Sequence, residues 1–377
     1  MNSTMLKKKC HILLPCALVA VTAVCAAAEW GPSVLVDRGS NLGLYPSMAA
    51  ETRHDTGDVV LHISYYDAEE ERLKYARVEN GRTVAVWAPD RSSGTGKYSS
   101  LALDADGARH ISYYDEQNGA LKYMYHSAWK FYTITVDGKG AESDVGLYTS
   151  VAADSSRNPH ISYYDRTGGD LKYIRREGDE WFAATVDAHG DVGRYSSLAL
   201  DSEDLPHVAY YDESSGDLKY ARFDGSGWLT ETVDTGTDAG LFASIAIDSQ
   251  DRPHIAYYNS VFGKFKYACH DGVTFKPCFV VLLDSLWMFQ ELGMHCSLAL
   301  DAADRPHVTY YNDARAEIEY ATLTLLLPPF SFWKREFPCR FSEEHLYSGP
   351  YNCLALDADG TPHVAFFSSV EKPAPVE

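Results

Sequence analysis

Residues Tyr195 to Tyr220 read YSSLALDSEDLPHVAYYDESSGDLKY, and the same pattern returns along most of the 377-residue chain. Aligned on its histidine, the copies fall at His62, His110, His160, His207, His254, His307 and His363, spaced 48, 50, 47, 47, 53 and 56 residues apart. Within the unit, Leu198 to Asp201 and His207 to Asp212 are short β-rich runs separated by a polar turn that ends in Pro206. Glu213 to Asp217 turns the chain into Leu218 to Phe223, and Asp224 to Gly227 reverses it into Trp228 to Val233. Four antiparallel strands per repeat of this length make a blade, whose two faces are covered by its neighbours. His207 to Tyr211 does not split into an apolar and a polar face, as such burial requires. The expected fold is all-β: a seven-bladed β-propeller of four-stranded antiparallel blades.

Residues 1–28 carry Lys7 to Lys9, an apolar run from Ile12 to Val24 and Ala26 to Ala28, the pattern of a secretory signal peptide cleaved near Ala28. A secreted or periplasmic location follows, with 29–370 as a single domain of seven repeats and 371–377 as a C-terminal tail. Trp30 to Asp37 matches a fourth strand without a blade of its own, whereas Leu354 to Asp357 and His363 to Phe367 supply only first and second strands. The N-terminal strand is therefore expected to complete the last blade and hide its edge. No second apolar segment reaches the roughly 20 residues of a membrane span. Removing the signal leaves 30 basic against 53 acidic residues, a formal charge of −23, which disfavours nucleic acid as a partner.

Regularity fails in segments 272–292 and 322–348, where apolar runs such as Cys278 to Leu283, Trp287 to Phe289 and Leu323 to Trp333 replace short hairpins. They read either as a contact surface or as drifted repeats. All five cysteines beyond the signal, Cys269, Cys278, Cys296, Cys339 and Cys353, lie in this half, and their spacing assigns no pairing. No CxxC or HxxxH spacing points to a metal, and no cofactor motif is present.

Two polar sets recur. Each repeat ends its first strand with an acid, Asp104 and Asp201 among them, and opens its second with the histidine, so a hairpin brings the two together. An active site needs one copy and this chain has seven, so the pair is read as a structural hydrogen bond. The second set is a Gly-x-Tyr connection between repeats, with Tyr98, Tyr148 and Tyr195, together with the acid that follows the tyrosine pair, Asp115, Asp165 and Asp212. These residues are the candidate ligand-binding rim, where aromatic faces stack on sugars and carboxylates accept hydroxyl hydrogens. Packing tyrosines and turn-capping aspartates are the competing reading.

The consensus SLALDxxxxPHISYYDxxxGxLKYA, covering Trp30 to Phe367, resembles Tyr-rich propeller repeats of secreted bacterial proteins and, more distantly, the sialidase-like propeller superfamily. That superfamily spans glycosidases, polysaccharide lyases, lectins and interaction scaffolds. The Asp-box SxDxGxTW is not intact, since ALDADGARH shares only its acidic turn, and no arginine triad with a Tyr/Glu pair is recognisable. The expected function is a binding module for extracellular glycans or protein partners, leaning away from an enzyme. A polysaccharide lyase or glycoside hydrolase and a structural envelope protein are the alternatives, and oligomeric state is left open.

Overall fold

The computed structural model describes residues 17–25, 29–30, 33–39, 42–138, 140, 142–235, 238–282, 293–328, 330–338 and 347–369. Trp287 to Phe289, Cys339, the residues around Ala28 and the 371–377 tail lie outside them. The repeat that opens the sequence analysis forms four strands in sequence order, Val192–Leu200, Pro206–Asp212, Asp217–Phe223 and Trp228–Asp234. Its second strand is buried at every position, while the fourth is mostly exposed, so the sheet runs from a covered inner edge to a solvated rim.

The Gly-x-Tyr motif has a backbone cause. Pairing between the first two strands shifts register on both sides of Arg194, a bulge spanning Gly193 to Tyr195. Gly193 has φ of 108°, and a Cβ there would come within 2.7 Å of the Leu171 Cα, so only glycine permits the preceding repeat to approach this closely. Tyr195 itself is left-handed, at φ 53°, which turns its ring inwards at a cost that a bulky residue rarely bears. The following serines stitch repeats together: Ser150 Oγ accepts the Leu198 amide at 3.0 Å, and Ser197 Oγ accepts that of Ile245 at 3.1 Å. The same bond joins Ser47 to Leu101, Ser100 to Val151, Ser244 to Leu298 and Ser297 to Leu354.

The expectation of seven blades closed by the N-terminal strand is corrected. The described strands assemble into six sheets: four of four strands, one of eight and one of five. The fifth and sixth repeats merge because Phe275–Leu282 pairs in parallel with Phe330–Glu336, from Phe279↔Phe330 to Leu282↔Trp333. The reason lies in the irregular apolar runs. Glu317–Leu327 extends to 11 residues, and the outer strands that in other repeats are sheet edges here find partners in each other. Leu325, Leu327 and Phe330 remain about half exposed beside the junction.

At the other end, Val34–Gly39 does not pair with the last repeat's own strands. Ala17–Cys25, read above as the core of an export signal, pairs with Pro362–Ser369 on one side and with Val34–Gly39 and Glu29–Trp30 on the other. An apolar run of that length has the composition of a buried strand as well as of a signal core. The result is an all-β propeller with four-stranded blades, its seven sequence repeats distributed over six sheets.

Candidate functional site

At one end of the blades, each recurring histidine sits between two partners. His207 is buried; its Nε2 lies 3.1 Å from Asp201 Oδ2 and its Nδ1 2.5 Å from the hydroxyl of Tyr220. His110 repeats this with Asp104 at 3.2 Å and Tyr123 at 2.7 Å, and His160 with Asp154 at 3.4 Å and Tyr173 at 2.6 Å. His62, His254 and His307 pair likewise with Glu51 and Tyr75, Asp248 and Tyr267, and Asp301 and Tyr320. Burial is the main cause that lowers the affinity of these histidines for a proton, taking His62 down to about 4 against the pull of Glu51. The neutral ring then donates from Nε2 to the carboxylate and accepts the tyrosine hydroxyl at Nδ1. The carboxylate's other oxygen caps the hairpin: Asp201 Oδ1 accepts the amides of Glu203 and Leu205. Sequence reasoning missed the tyrosine, although it stands 13 residues after the histidine every time. His363 keeps Asp357 at 3.0 Å, but its Nδ1 has no partner among the described residues.

At the opposite end, the structure separates the two halves of the predicted rim. Asp115, Asp165 and Asp212 are buried and fold back on their own turns. Asp115 Oδ1 accepts the Asn118 amide at 3.1 Å, Asp165 Oδ1 those of Thr167 and Gly168, and Asp212 Oδ1 those of Ser214 and Ser215. Lysines from the third strand neutralise this region, with Lys172 3.4 Å from Asp165. A fourth-strand acid also joins it. Asp187 takes the Tyr210 hydroxyl at 2.8 Å and the Lys219 ammonium; burial opposes its ionisation, but these bonds hold it down to about 2.

Tyr98, Tyr148 and Tyr195 do come together, with the residues at the same motif position in the other repeats. The seven motif residues Tyr45, Tyr98, Tyr148, Tyr195, Phe242, His295 and Tyr351 form a closed ring of contacts. Successive centroids lie 4.6, 4.6, 4.6, 4.7, 4.0 and 4.6 Å apart, and Tyr351 returns to Tyr45 at 4.7 Å. All seven are half-buried, and they line a cavity of ≈ 180 Å³ with Ser99, Ser196, Cys296 and Asn352. Six of them, Tyr45 through His295, have φ between 51° and 55°, a repeated backbone strain converging on one place.

The hydroxyls of Tyr45, Tyr98, Tyr195 and Tyr351 hold their protons firmly. Burial is the main cause at Tyr45, reinforced by the neighbouring Tyr351 and Tyr98 hydroxyls. The ring is uneven on one side. Burial alone takes His295 down to about 3, leaving a neutral imidazole packed on Phe242. Its Nε2 and the Oδ1 of Asn352 are buried polar atoms with no partner among the described residues. Asn352 Nδ2 donates to the His295 carbonyl at 2.9 Å, which ties the two residues together.

Among the described residues, no group of three or more His, Cys, Asp or Glu is placed to hold a metal, and no helix is long and apolar enough to cross a membrane. Cys269, Cys278, Cys296 and Cys353 are free thiols.

No protein-family model and no curated protein sequence matches the chain. Solved structures do. A protein of unknown function from Dyadobacter fermentans superposes with a TM-score of 0.52 at 10% identity, covering 90% of this chain and 98% of that one. The fucose-specific lectin from Aleuria aurantia gives 0.50 at 12% identity, covering 79% and 96%. A Hadza microbial sialidase gives 0.48 at 12% identity, covering 95% and 88%. The fold is thus similar to that of the Aleuria aurantia lectin.

Proposed function

We propose that this protein is an exported carbohydrate-binding propeller whose glycan site is the axial mouth ringed by Tyr45, Tyr98, Tyr148, Tyr195, Phe242, His295 and Tyr351. The observation that carries this reading is the ring itself. Every repeat contributes one aromatic at the same place, six of them at a strained backbone angle, around a cavity where two buried polar atoms lack partners among the described residues. Aromatic walls with few polar groups suit a sugar ring, whose C–H faces stack and whose hydroxyls bond. His295 Nε2 and Asn352 Oδ1 are the groups that gain most from such a hydroxyl, because a buried unsatisfied atom costs about 1–3 kcal/mol.

The same geometry argues for binding rather than turnover. The acid–histidine–tyrosine clusters come in six near-identical copies, each histidine bonded on both sides, and the predicted carboxylates cap turns. A fucose-specific lectin among the similar structures agrees with the class without naming the sugar. The test is a glycan array followed by titration with the best ligand, comparing the native protein with His295→Ala and Asn352→Ala at equal thermal stability. Affinity should fall in both variants. Undiminished affinity removes the site from the axis, and turnover of a polysaccharide panel overturns the binding-module reading.

A further inference from the structure

A second cavity, of ≈ 340 Å³, lies at the outer rim between the second and third repeats and shares no residue with the axial one. Its walls are Phe131, Tyr132 and Trp181, and its charged groups are Lys130, Arg176 and Asp179. The volume sits at the small end of the range for ligand pockets, about 300–1,000 Å³.

The residues that build it break the repeat. Positions equivalent to Arg176 hold Val78, His126, Phe223, His270 and Leu323, so the guanidinium occurs once in this register. Arg176 Nη1 donates to the Tyr132 hydroxyl at 2.6 Å, and the Lys130 ammonium lies 5.0 Å from the centre of the same ring. The Nε of Arg176 is buried without a partner among the described residues. At the adjoining hairpin tip, where other repeats place Asn80-Gly81 or Gly178-Asp179, this one carries Trp129, 96% exposed. Phe131 beside it is 46% exposed. A single tryptophan in water needs no explanation, but one next in sequence to Lys130 and Phe131 of a cavity with two cations does.

We infer that this groove is a second binding site, for a saccharide that carries a carboxylate. The aromatic walls take the apolar face of the sugar. Lys130 and Arg176 present two positive charges against one acid in a chain whose formal charge is −20, so the local field opposes the global one. Asp179 currently takes Arg176 Nη2 at 2.7 Å, yet its side chain is 99% exposed. Such a pair is weak, and a ligand carboxylate replaces it with little loss. A neutral sugar leaves Arg176 with the partner it already has.

The experiment is titration of the purified protein, by calorimetry and tryptophan fluorescence, with methyl glucuronoside and methyl galacturonoside against the corresponding glucoside and galactoside. The acidic sugars should bind, with the neutral ones about tenfold weaker or more, the scale of one charge-assisted hydrogen bond. Arg176→Gln and the surface change Lys130→Glu should each lower acidic-sugar affinity by about tenfold as well, whereas the axial variant His295→Ala should not. Lys130→Glu alters an exposed chain end and keeps the test valid even where Arg176→Gln fails to fold. The inference is overturned by no binding up to about 10 mM, by equal affinity for acidic and neutral sugars, by indifference to Lys130→Glu, or by loss on His295→Ala.

Discussion

Glu319 and Arg335 lie 3.1 Å apart in the sixth repeat, both essentially buried, at the place where the first five repeats put a lysine. Lys74, Lys122, Lys172, Lys219 and Lys266 occupy that position. Lys122, Lys219 and Lys266 each pair with an acid at or just beyond the end of the preceding fourth strand, Asp90, Asp187 or Asp234. The sixth repeat reverses the charge at this position and takes its cation from its own outer strand. Glu319 also accepts the Tyr310 hydroxyl at 2.9 Å and the Asn312 amide at 2.7 Å.

Arg335→Met should therefore cost about 3–5 kcal/mol, the range for stranding a buried charge, while Glu319→Leu combined with Arg335→Met should recover part of it. Urea midpoints of the two proteins decide this. A neutral Arg335→Met would mean that Glu319 is balanced elsewhere.

The histidine clusters make stability depend on pH in one direction. His62, His110, His160, His207, His254 and His307 all have folded proton affinities below that of the unfolded chain, chiefly through burial. Below the unfolded value of about 6.5 the unfolded state binds more protons, so their contribution is whole above that pH. It is lost as pH falls towards the folded value, about 4 for His62. Asp154, Asp248 and Asp301, themselves held low, add to the loss at still lower pH. The melting temperature should be flat from pH 7 to 8 and drop steeply from about 6.5 to 4. A His207→Gln variant should show a shallower drop; an identical profile would show that the histidines do not drive it.

The last repeat offers an internal control for the tyrosine partner. His207→Ala should destabilise by about 1–3 kcal/mol because it orphans both Asp201 and Tyr220. His363→Ala, starting from an Nδ1 that already lacks a partner among the described residues, should cost less. Equal costs would assign the effect to the carboxylate bond alone.

The repeat was legible because a strand, a turn and a histidine recur at nearly fixed spacing, and those are local features. Sheet count was not, because periodicity counts repeats while hydrogen bonding between Phe275–Leu282 and Phe330–Glu336 joins residues about fifty apart. The apolar stretch Ala17–Cys25 was ambiguous for a related reason: a signal core and a buried strand demand the same side chains. Asp115, Asp165 and Asp212 carried their turn-capping role in the spacing to the following glycine, but nothing local says that a carboxylate bonded to its own turn is withdrawn from the surface. The tyrosine at 13 residues past six of the seven recurring histidines was hidden by abundance, since the chain has 26 tyrosines.

Export makes its own prediction. Intact mass of the protein recovered from the medium or periplasm should place its first residue near Glu29. A recovered chain that retains Ala17–Cys25 would show instead that this strand stays in its sheet between Pro362–Ser369 and Val34–Gly39.

The strained aromatics lead to a prediction in which stability and binding part company. Tyr98, Tyr148 and Tyr195 hold φ of 55°, 51° and 53°, a region that asparagine enters far more readily than tyrosine. Replacing one by asparagine releases strain of about 1–3 kcal/mol and removes ring contacts worth about 0.5–1.5 kcal/mol each. The two nearly cancel, so Tyr148→Asn should leave the melting temperature within a few degrees of the native value. The ring loses its 4.6 Å contacts to Tyr98 and Tyr195, and with them the stacking surface at the mouth. Glycan affinity should consequently fall by about tenfold or more, since an aromatic anchor is the kind of residue that dominates such sites. Melting curves and titration of the same samples separate the outcomes. A large loss of stability would make the ring a packing device that holds the blades together, and unchanged affinity in a stable variant would leave the strain at the axis without a ligand to explain it.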